Sequence, residues 1–292
     1  MPRLLDLFLA ALAPAVWGST YWVTSQFLPA GAPLTMAALR ILPAGLLLLL
    51  WARQLPSGIW WLRVFILGGF NFTLFQAVLF IAAYRLPGGV AATLGAVQPL
   101  VVVLLAAAWL NTPITFRAIA ASLAGLTGVG SLVLTPQAAL DPMGIAAALT
   151  GAAAMAAGTV LTRKWQPPVP LLTFTAWQLT AGGVLLLPLV AWLEPGFPVF
   201  DANGIWAMGY LSLIGAGAAY ALWFRGVSRI EPAQIAPLGF FSPLTAVLLG
   251  WLLLGQNLGP LQLAGISLIL GSVWVSQTRA RTASLLLKEA RT

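Results

Sequence analysis

The sequence contains no cysteine and no histidine, and only six of its 292 residues are acidic. Disulfides, thiolate or imidazole metal sites, cysteine nucleophiles and histidine-based catalysis are therefore excluded. Charged residues make up 7% of the chain, against about 25% in a typical soluble domain. Because 60% of the residues are apolar, the composition excludes an ordinary soluble fold, a disordered chain and a coiled coil.

The apolar residues form long continuous runs rather than the alternating pattern of membrane strands. We predict ten transmembrane helices, because each run is long enough to cross about 30 Å of hydrocarbon. The predicted spans are residues 5–27, 34–52, 63–83, 88–110, 117–135, 143–162, 171–193, 204–224, 232–254 and 260–278. The sequence thus predicts an all-α polytopic membrane protein whose main partner is the lipid bilayer.

The net charge of +8 would raise nucleic-acid binding in a soluble protein, so the placement of the charges decides its meaning. With ten spans, 12 of the 14 positive residues fall on the same side as the N-terminus. Arg85 alone falls on the other side, and Arg40 lies within the second span. The positive-inside rule then places both termini in the cytoplasm. We interpret the basicity as an orientation signal in a bacterial inner membrane and expect no nucleic-acid partner.

The chain also repeats itself, with small changes in the shift that loop insertions explain. A shift of 144 residues aligns Gln76 with Tyr220, Gly95 with Gly239 and Pro99 with Pro243, and a shift of 138 aligns Arg40 with Gln178 and Gly45 with Gly183. We predict a first repeat over 1–138, a second over 139–279 and a cytoplasmic tail over 280–292. Five spans in each copy would give the two copies opposite orientations, which is the inverted-repeat architecture of secondary transporters.

Short motifs in both copies resemble the repeats of a known transporter family. The motif residues are Trp17-Gly18-Ser19 followed by Arg40, and Gly255-Gln256-Asn257-Leu258 followed by Leu261-Gln262-Leu263-Ala264-Gly265 and Gly271. They are similar to EamA-type repeats of the drug/metabolite transporter (DMT) superfamily, in which two repeats make ten helices. Size and Trp and Phe content are most similar to a bacterial aromatic amino-acid exporter of this group.

The resemblance implies a central cavity lined by helices one to four and six to nine, with helices five and ten at the periphery. The chain departs from the family pattern at one position. The family often has Glu after the Gly that ends the ninth span, whereas this chain has Gln256, and the corresponding place after the fourth span is Asn111. A role that relatives assign to that acid therefore cannot be transferred to this chain.

Polar and aromatic side chains within the spans are candidates for lining a substrate cavity. The candidates are Gln76, Tyr220, Trp17, Tyr21, Asn71, Tyr84, Trp177, Trp223 and Arg40. The Arg40 guanidinium would attract a substrate carboxylate. Its alternative is a position within about two turns of the cytoplasmic end, where the side chain reaches the interface or bonds helix-end carbonyls. For the other candidates, the alternatives are hydrogen bonding between helices, packing and contact with lipid.

Two dipeptides at equivalent places in the fourth and ninth spans are candidates for a mechanical role. Gln98-Pro99 and Ser242-Pro243 would form paired mid-helix kinks, because proline removes a backbone hydrogen bond. The alternative is a static kink that only shapes packing. Near the middle of the spans there is no Asp or Glu, which disfavours proton-coupled export of lipophilic cations.

These observations favour a secondary carrier that exports amino acids, aromatic and other neutral ones, by alternating access. The alternative is export of another neutral metabolite or a drug-like solute by the same architecture. An enzyme is disfavoured because there is no acid pair and no recognisable catalytic Ser or Lys. The chain has no Walker motif, so it is not a primary pump, and we expect no cofactor and no metal. Oligomeric state stays open.

Overall fold

The computed structural model describes residues 2–29, 31–86, 94–133, 141–194, 196–255 and 259–289. All regular structure within these ranges is helical. The helices are α1 (Pro2–Phe27), α2 (Pro33–Ala52), α3 (60–85), α4 (Gln98–Leu110), α5 (Phe116–Val133), α6 (Pro142–Lys164), α7 (Leu171–Leu193), α8 (202–229), α9 (232–254) and α10 (Pro260–Glu289). Within the described ranges, eight are long and apolar enough to cross a membrane, and α4 and α5 are shorter apolar helices. The chain is therefore an all-helical, multi-pass membrane protein.

Most observed bounds differ from the predicted spans by only a few residues, but two helices depart further. Regular α4 begins at Gln98, whereas the prediction placed its start at 88, and residues 88–93 lie outside the described ranges. α10 continues to Glu289, so most of the predicted tail over 280–292 is helical. This extension contains Ala, Leu, Arg and Lys and no Gly or Pro, which favours continuation of the helix.

Both α3 and α8 contain a short π-helical segment, over Gly69–Leu74 and Leu213–Ala218. The two segments are 144 residues apart, the shift that aligns the two halves of the sequence. A π turn holds one extra residue, so side chains before and after it no longer follow the α-helical period. The Thr73 hydroxyl accordingly donates to the Gly182 carbonyl at 2.9 Å rather than facing the same way as Gln76.

The paired prolines lie in the first turn of a regular α-helical segment, not in the middle of a continuous helix as predicted. Pro99 is the second residue of α4. Pro243 is the third residue of Phe241–Leu254, which follows a 3₁₀ segment over Ala236–Phe240 in α9. A proline in the first turn forfeits little helical hydrogen bonding. Each proline therefore follows a break in the helix and does not kink an intact one.

The helices α2 and α7 cross with their backbones in direct contact. A Cβ atom added to Gly45 would lie 2.6 Å from the Thr180 backbone nitrogen, and one added to Gly183 would lie 2.6 Å from the Leu42 Cβ. Any larger residue at these glycines would force the helices apart. Small residues permit this kind of close approach in membranes, where packing drives helix association.

The helices α5 and α10 pack against each other at a second glycine contact. A Cβ on Gly128 would lie 2.8 Å from the Gly265 carbonyl oxygen, and one on Gly265 would lie 2.7 Å from the Gly128 carbonyl oxygen. This helix pair contributes no residue to the central cavity described below. The pair therefore lies behind the cavity wall, where Val129 of α5 and Ile269 of α10 pack in one cluster with the lining residue Phe240.

The bundle has two ends, which we name after the carboxylates found there. At the Asp6 end, Asp6 of α1 binds Arg225 and Arg229 in the last turns of α8. At the Asp141 end, Asp141 precedes α6 and pairs with Arg85 at the end of α3. The two names fix the orientation of the cavity without assigning a side of the membrane.

Candidate functional site

A central cavity of about 440 Å³ lies among α1, α2, α3, α6, α8 and α9 and the first residues of α4. This volume falls within the range of about 300–1,000 Å³ typical of small-molecule sites. Nine of the sequence-predicted residues line it: Gln76, Tyr220, Trp17, Trp223, Arg40, Gln98, Pro99, Ser242 and Pro243. The family expectation also included α7, but no residue of α7 is among those that line this cavity.

Two other candidates lie elsewhere in the bundle. Asn71 is buried in the first π segment and donates to the Gln178 amide oxygen at 2.8 Å, between α3 and α7. The Trp177 indole donates to the Gln54 carbonyl at 2.6 Å, beyond the end of α2. Both therefore join helices and do not line the cavity. The side chains of Tyr21 and Tyr84, and the residue Gln256, lie outside the described part of the chain.

Aromatic rings close the inner end of the cavity. The Trp17 ring centroid lies 4.7 Å from that of Tyr220 and 5.5 Å from that of Trp223, and the Phe72 centroid lies 4.5 Å from that of Tyr220. Tyr220 is 2% exposed and Trp223 is 1% exposed. This layer separates the cavity from the Asp6 end, which lies about 16 Å further along α1 at 1.5 Å per residue.

The opposite side of the cavity reaches the C-terminal end of α1. Ser25, Leu28 and Pro29 belong to its wall, and Ser25 is exposed at the surface. The packing of α1 against the start of α8 marks the same end, since a Cβ on Gly204 would lie 3.1 Å from the Phe27 carbonyl oxygen. The cavity thus extends from the aromatic layer towards the Asp141 end.

Arg40 is the only charged residue among the described residues that line the cavity. Its side chain is buried, and Nη2 donates to the Thr20 hydroxyl of α1 at 3.2 Å. Arg40 lies two turns from the start of α2, and Arg53 follows the other end of that helix. Thr20 holds the guanidinium inside the bundle, so it does not extend to an interface.

Several polar atoms of the cavity wall have no standard hydrogen bond within the described residues. Both amide atoms of Gln76, which is 1% exposed, and the Trp223 indole nitrogen belong to this group. The Gln76 amide also interacts with the Tyr220 hydroxyl, in a geometry that leaves both amide atoms without a standard hydrogen bond. Unpaired buried polar groups are costly. A solute with polar groups at these positions would remove that cost.

Sequence reasoning missed one wall of the cavity and part of another. Ala148, Gly151, Ala152 and Met155 of α6 line it, as does Thr20 of α1. The four α6 residues are spaced three, one and three apart, which places them on one helical face. That spacing was the available signal, but small apolar residues in a membrane helix are equally typical of helix packing.

The amino-acid sequence is similar to a family of transporters and to individual proteins along nearly its whole length. A profile of the EamA-like transporter family matches residues 4–134 and 142–278. The chain is 43% identical over 270 residues to Protein PecM of Dickeya dadantii, covering 92% of this chain and 91% of that protein. It is 28% identical to the uncharacterized inner membrane transporter YedA of Escherichia coli, covering 93% and 90%.

The fold also resembles that of a solved crystal structure. The TM-score is 0.79, the sequence identity is 21%, and the match covers 94% of this chain and 98% of the other. At this identity the likeness concerns the fold alone.

Proposed function

Because the chain belongs to the EamA-like transporter family, we propose that it is a secondary carrier that exports amino acids by alternating access. Aromatic and other neutral amino acids are the proposed substrates, and the bacterial inner membrane is the proposed location. The observation that carries the proposal is the cavity, which combines one buried arginine with aromatic rings and with amide and indole groups that make no standard hydrogen bond within the described residues.

The chemistry of the cavity wall suits a small zwitterion. Arg40 supplies a positive charge for a carboxylate, and the Thr20 hydroxyl and Trp223 indole can donate further hydrogen bonds. Trp17, Tyr220 and Trp223 offer apolar ring surface for a side chain. No Asp or Glu is found among the described lining residues, which disfavours cationic solutes.

We also propose that ten helices form two inverted repeats, over 1–138 and 139–279. The crossing of α2 and α7 supports this division, because its two glycine contacts exchange under the shift of 138 residues. Gly45 shifts to Gly183, and Leu42 shifts to Thr180. The π segments and the prolines Pro99 and Pro243 repeat under the shift of 144. The excess of arginines at the Asp6 end supports cytoplasmic termini.

Transport by the purified protein in liposomes tests the proposal. We expect labelled Phe to leave loaded proteoliposomes, or to exchange, faster than from protein-free vesicles. Equal rates for Phe and Thr with and without protein would contradict amino-acid transport. Release of an uncharged aromatic solute from the same vesicles would then favour the alternative, which is export of another neutral metabolite or drug-like compound.

Replacement of cavity residues tests the site. We expect Gln76→Ala and Tyr220→Ala to slow Phe transport by about tenfold, because each removes a buried polar partner of the solute worth about 1–3 kcal/mol. The initial rate of Phe release measures the effect, and the elution profile in detergent checks folding. Thr127→Ala is the matched control, since Thr127 of α5 bonds only within its own helix and does not line the cavity. Normal rates in both cavity variants would remove them from the site.

A further inference from the structure

Two positions that the sequence repeat makes equivalent carry different residues. The shift of 144 residues aligns Asn71 with Gly215, and each is the third residue of its π segment. The shift of 138 aligns Gln178 with Arg40, and these two residues lie on the crossing helices α7 and α2. The bundle therefore contains two related contacts, Asn71 with Gln178 and Gly215 with Arg40.

The first contact, between Asn71 and Gln178, is formed by hydrogen bonds between side chains. Asn71 Nδ2 donates to Gln178 Oε1 at 2.8 Å and to Thr162 Oγ1 at 3.2 Å, and all three residues are buried. Gly158 of α6 leaves the space that the Asn71 amide occupies, because a Cβ there would overlap it. The amide at position 71 thus fixes its partner against the neighbouring helices and keeps it away from the cavity.

The second contact has no side chain on α8. A Cβ added to Gly215 would lie 3.8 Å from Arg40 Nη2, at ordinary van der Waals distance. The Gly215 carbonyl accepts the Trp17 indole N–H at 3.0 Å, so the backbone oxygen is engaged by the aromatic layer. The Arg40 guanidinium lies beside this glycine and forms part of the cavity wall.

We propose that Gly215 is a specificity-determining residue, which keeps the Arg40 guanidinium at the cavity wall to bind the carboxylate of the transported solute. This inference rests on the proposed function. An Asn at position 215 would occupy the place that Asn71 has in the first contact. Its amide oxygen would accept a hydrogen bond from Arg40 Nη2 and would hold the guanidinium against α8. The substrate class selected by glycine is a solute with a carboxylate and an apolar part that packs on the aromatic rings.

A pair of ligands that differ at the carboxylate alone tests the inference. Binding of Phe and of phenylalaninamide, in which the carboxylate is replaced by a neutral amide, is measured by calorimetry on the detergent-solubilised carrier. We expect the wild type to prefer Phe, and Gly215→Asn to weaken Phe binding by about tenfold while leaving phenylalaninamide binding within about twofold. Arg40→Gln should abolish the preference in the same way.

Gly215→Ala is the matched control, because its methyl group meets Arg40 only at van der Waals distance and offers no acceptor. It should keep the preference for Phe. Gly215→Ser adds a smaller acceptor and should give an intermediate loss if the Asn variant does not fold. If Gly215→Asn or Gly215→Ser keeps the preference for Phe over phenylalaninamide while Arg40→Gln loses it, the role of Gly215 is overturned and the proposed carboxylate substrate still stands. Absence of any preference in the wild type would overturn the inference together with the proposed carboxylate substrate.

Discussion

At the Asp6 end of the bundle one nearly buried carboxylate holds two arginines, whereas at the Asp141 end the ion pair is open to water. The Asp6 side chain is 11% exposed and lies 2.8 Å from Arg225 Nη2 and 3.3 Å from Arg229 Nη1. Arg85 and Asp141 are 45% and 36% exposed and lie 3.4 Å apart. Arg225 and Arg229 are 30% and 51% exposed. The Asp6 network therefore falls between a buried pair, whose breaking costs about 3–5 kcal/mol, and an exposed pair, which is worth at most about 1 kcal/mol.

The contacts between helices follow the same division. At the Asp6 end, Arg163 of α6 donates to the Val227 and Ser228 carbonyls at the end of α8 and pairs with Glu231 at 3.5 Å. The interactions of Arg163 and Asp6 together link α1, α6 and α8 between the aromatic layer and the Asp6 end of the bundle. At the other end the cavity wall reaches the surface. Among the described residues, ion pairs and aromatic rings close the cavity towards the Asp6 end, whereas Ser25 in its wall is exposed towards the Asp141 end.

The largest expected effect comes from Asp6→Asn. This change keeps the shape of the side chain but removes the charge that both arginines share, so we expect about 2 kcal/mol of destabilisation, between the buried and the exposed case. Denaturant unfolding of the detergent-solubilised protein measures it. A second readout uses the cysteine-free background. Ala13→Cys, a buried position of α1 between Asp6 and Trp17, should react with a water-soluble maleimide faster when combined with Asp6→Asn.

The control for this readout is Ala13→Cys with Asp6 retained, and a further control is Ser25→Cys at the other end of α1. Ser25 lies in the open part of the cavity, so its labelling should be fast in both backgrounds. Equal labelling of Ala13→Cys with and without Asp6 would show that the ion pairs do not seal this end.

A middle-sized effect is expected from Glu194→Gln at the Asp141 end. The Glu194 carboxylate accepts hydrogen bonds from the Leu34 and Thr35 backbone N–H groups at 2.9 and 2.8 Å, which satisfies the first turn of α2. Glutamine keeps one acceptor and loses the charge that favours a helix N-terminus, so we expect about 1 kcal/mol of destabilisation. Hydrogen exchange should accelerate at the amides of Leu34 and Thr35. Unchanged exchange there would contradict the capping role.

The smallest effect is expected from Arg85→Gln. Because the pair with Asp141 is exposed, its loss should cost less than about 1 kcal/mol, and high salt should remove the difference from wild type. Thermal unfolding at low and high salt measures both. A loss as large as that of Asp6→Asn would remove the distinction between the two ends.

The helices were predictable from the sequence because the length of an apolar run determines whether it can span the hydrocarbon. The run over 171–193 matches α7 at both ends. The start of α4 was not predictable in this way. Hydropathy does not distinguish an apolar residue before a helix from one within it. Pro99 indicates the start of regular α4 only once its position in the first turn is known.

The cavity was predictable where chemistry and the repeat coincided, as for Gln76 and Tyr220, which both line it. It was not predictable where the helical period changes. Thr73 and Gln76 are three residues apart and would share one face of a regular α-helix, but the π segment over Gly69–Leu74 separates their directions. The Thr73 hydroxyl therefore donates to the Gly182 carbonyl, and Gln76 lines the cavity. A π turn leaves no clear mark in residue type.

The crossing of α2 and α7 has a consequence for how the halves of the molecule can move. A Cβ at Gly45 would lie 2.6 Å from the Thr180 backbone nitrogen, and one at Gly183 would lie 2.6 Å from the Leu42 Cβ, so neither glycine leaves room for a side chain of its own at the crossing. Sliding one helix along the other would drive a backbone into Thr180 or Leu42, whereas turning about the point of contact leaves that point unchanged. The crossing would therefore act as a pivot between α2 and α7. A small rotation about it would displace the ends of the two helices by a larger distance.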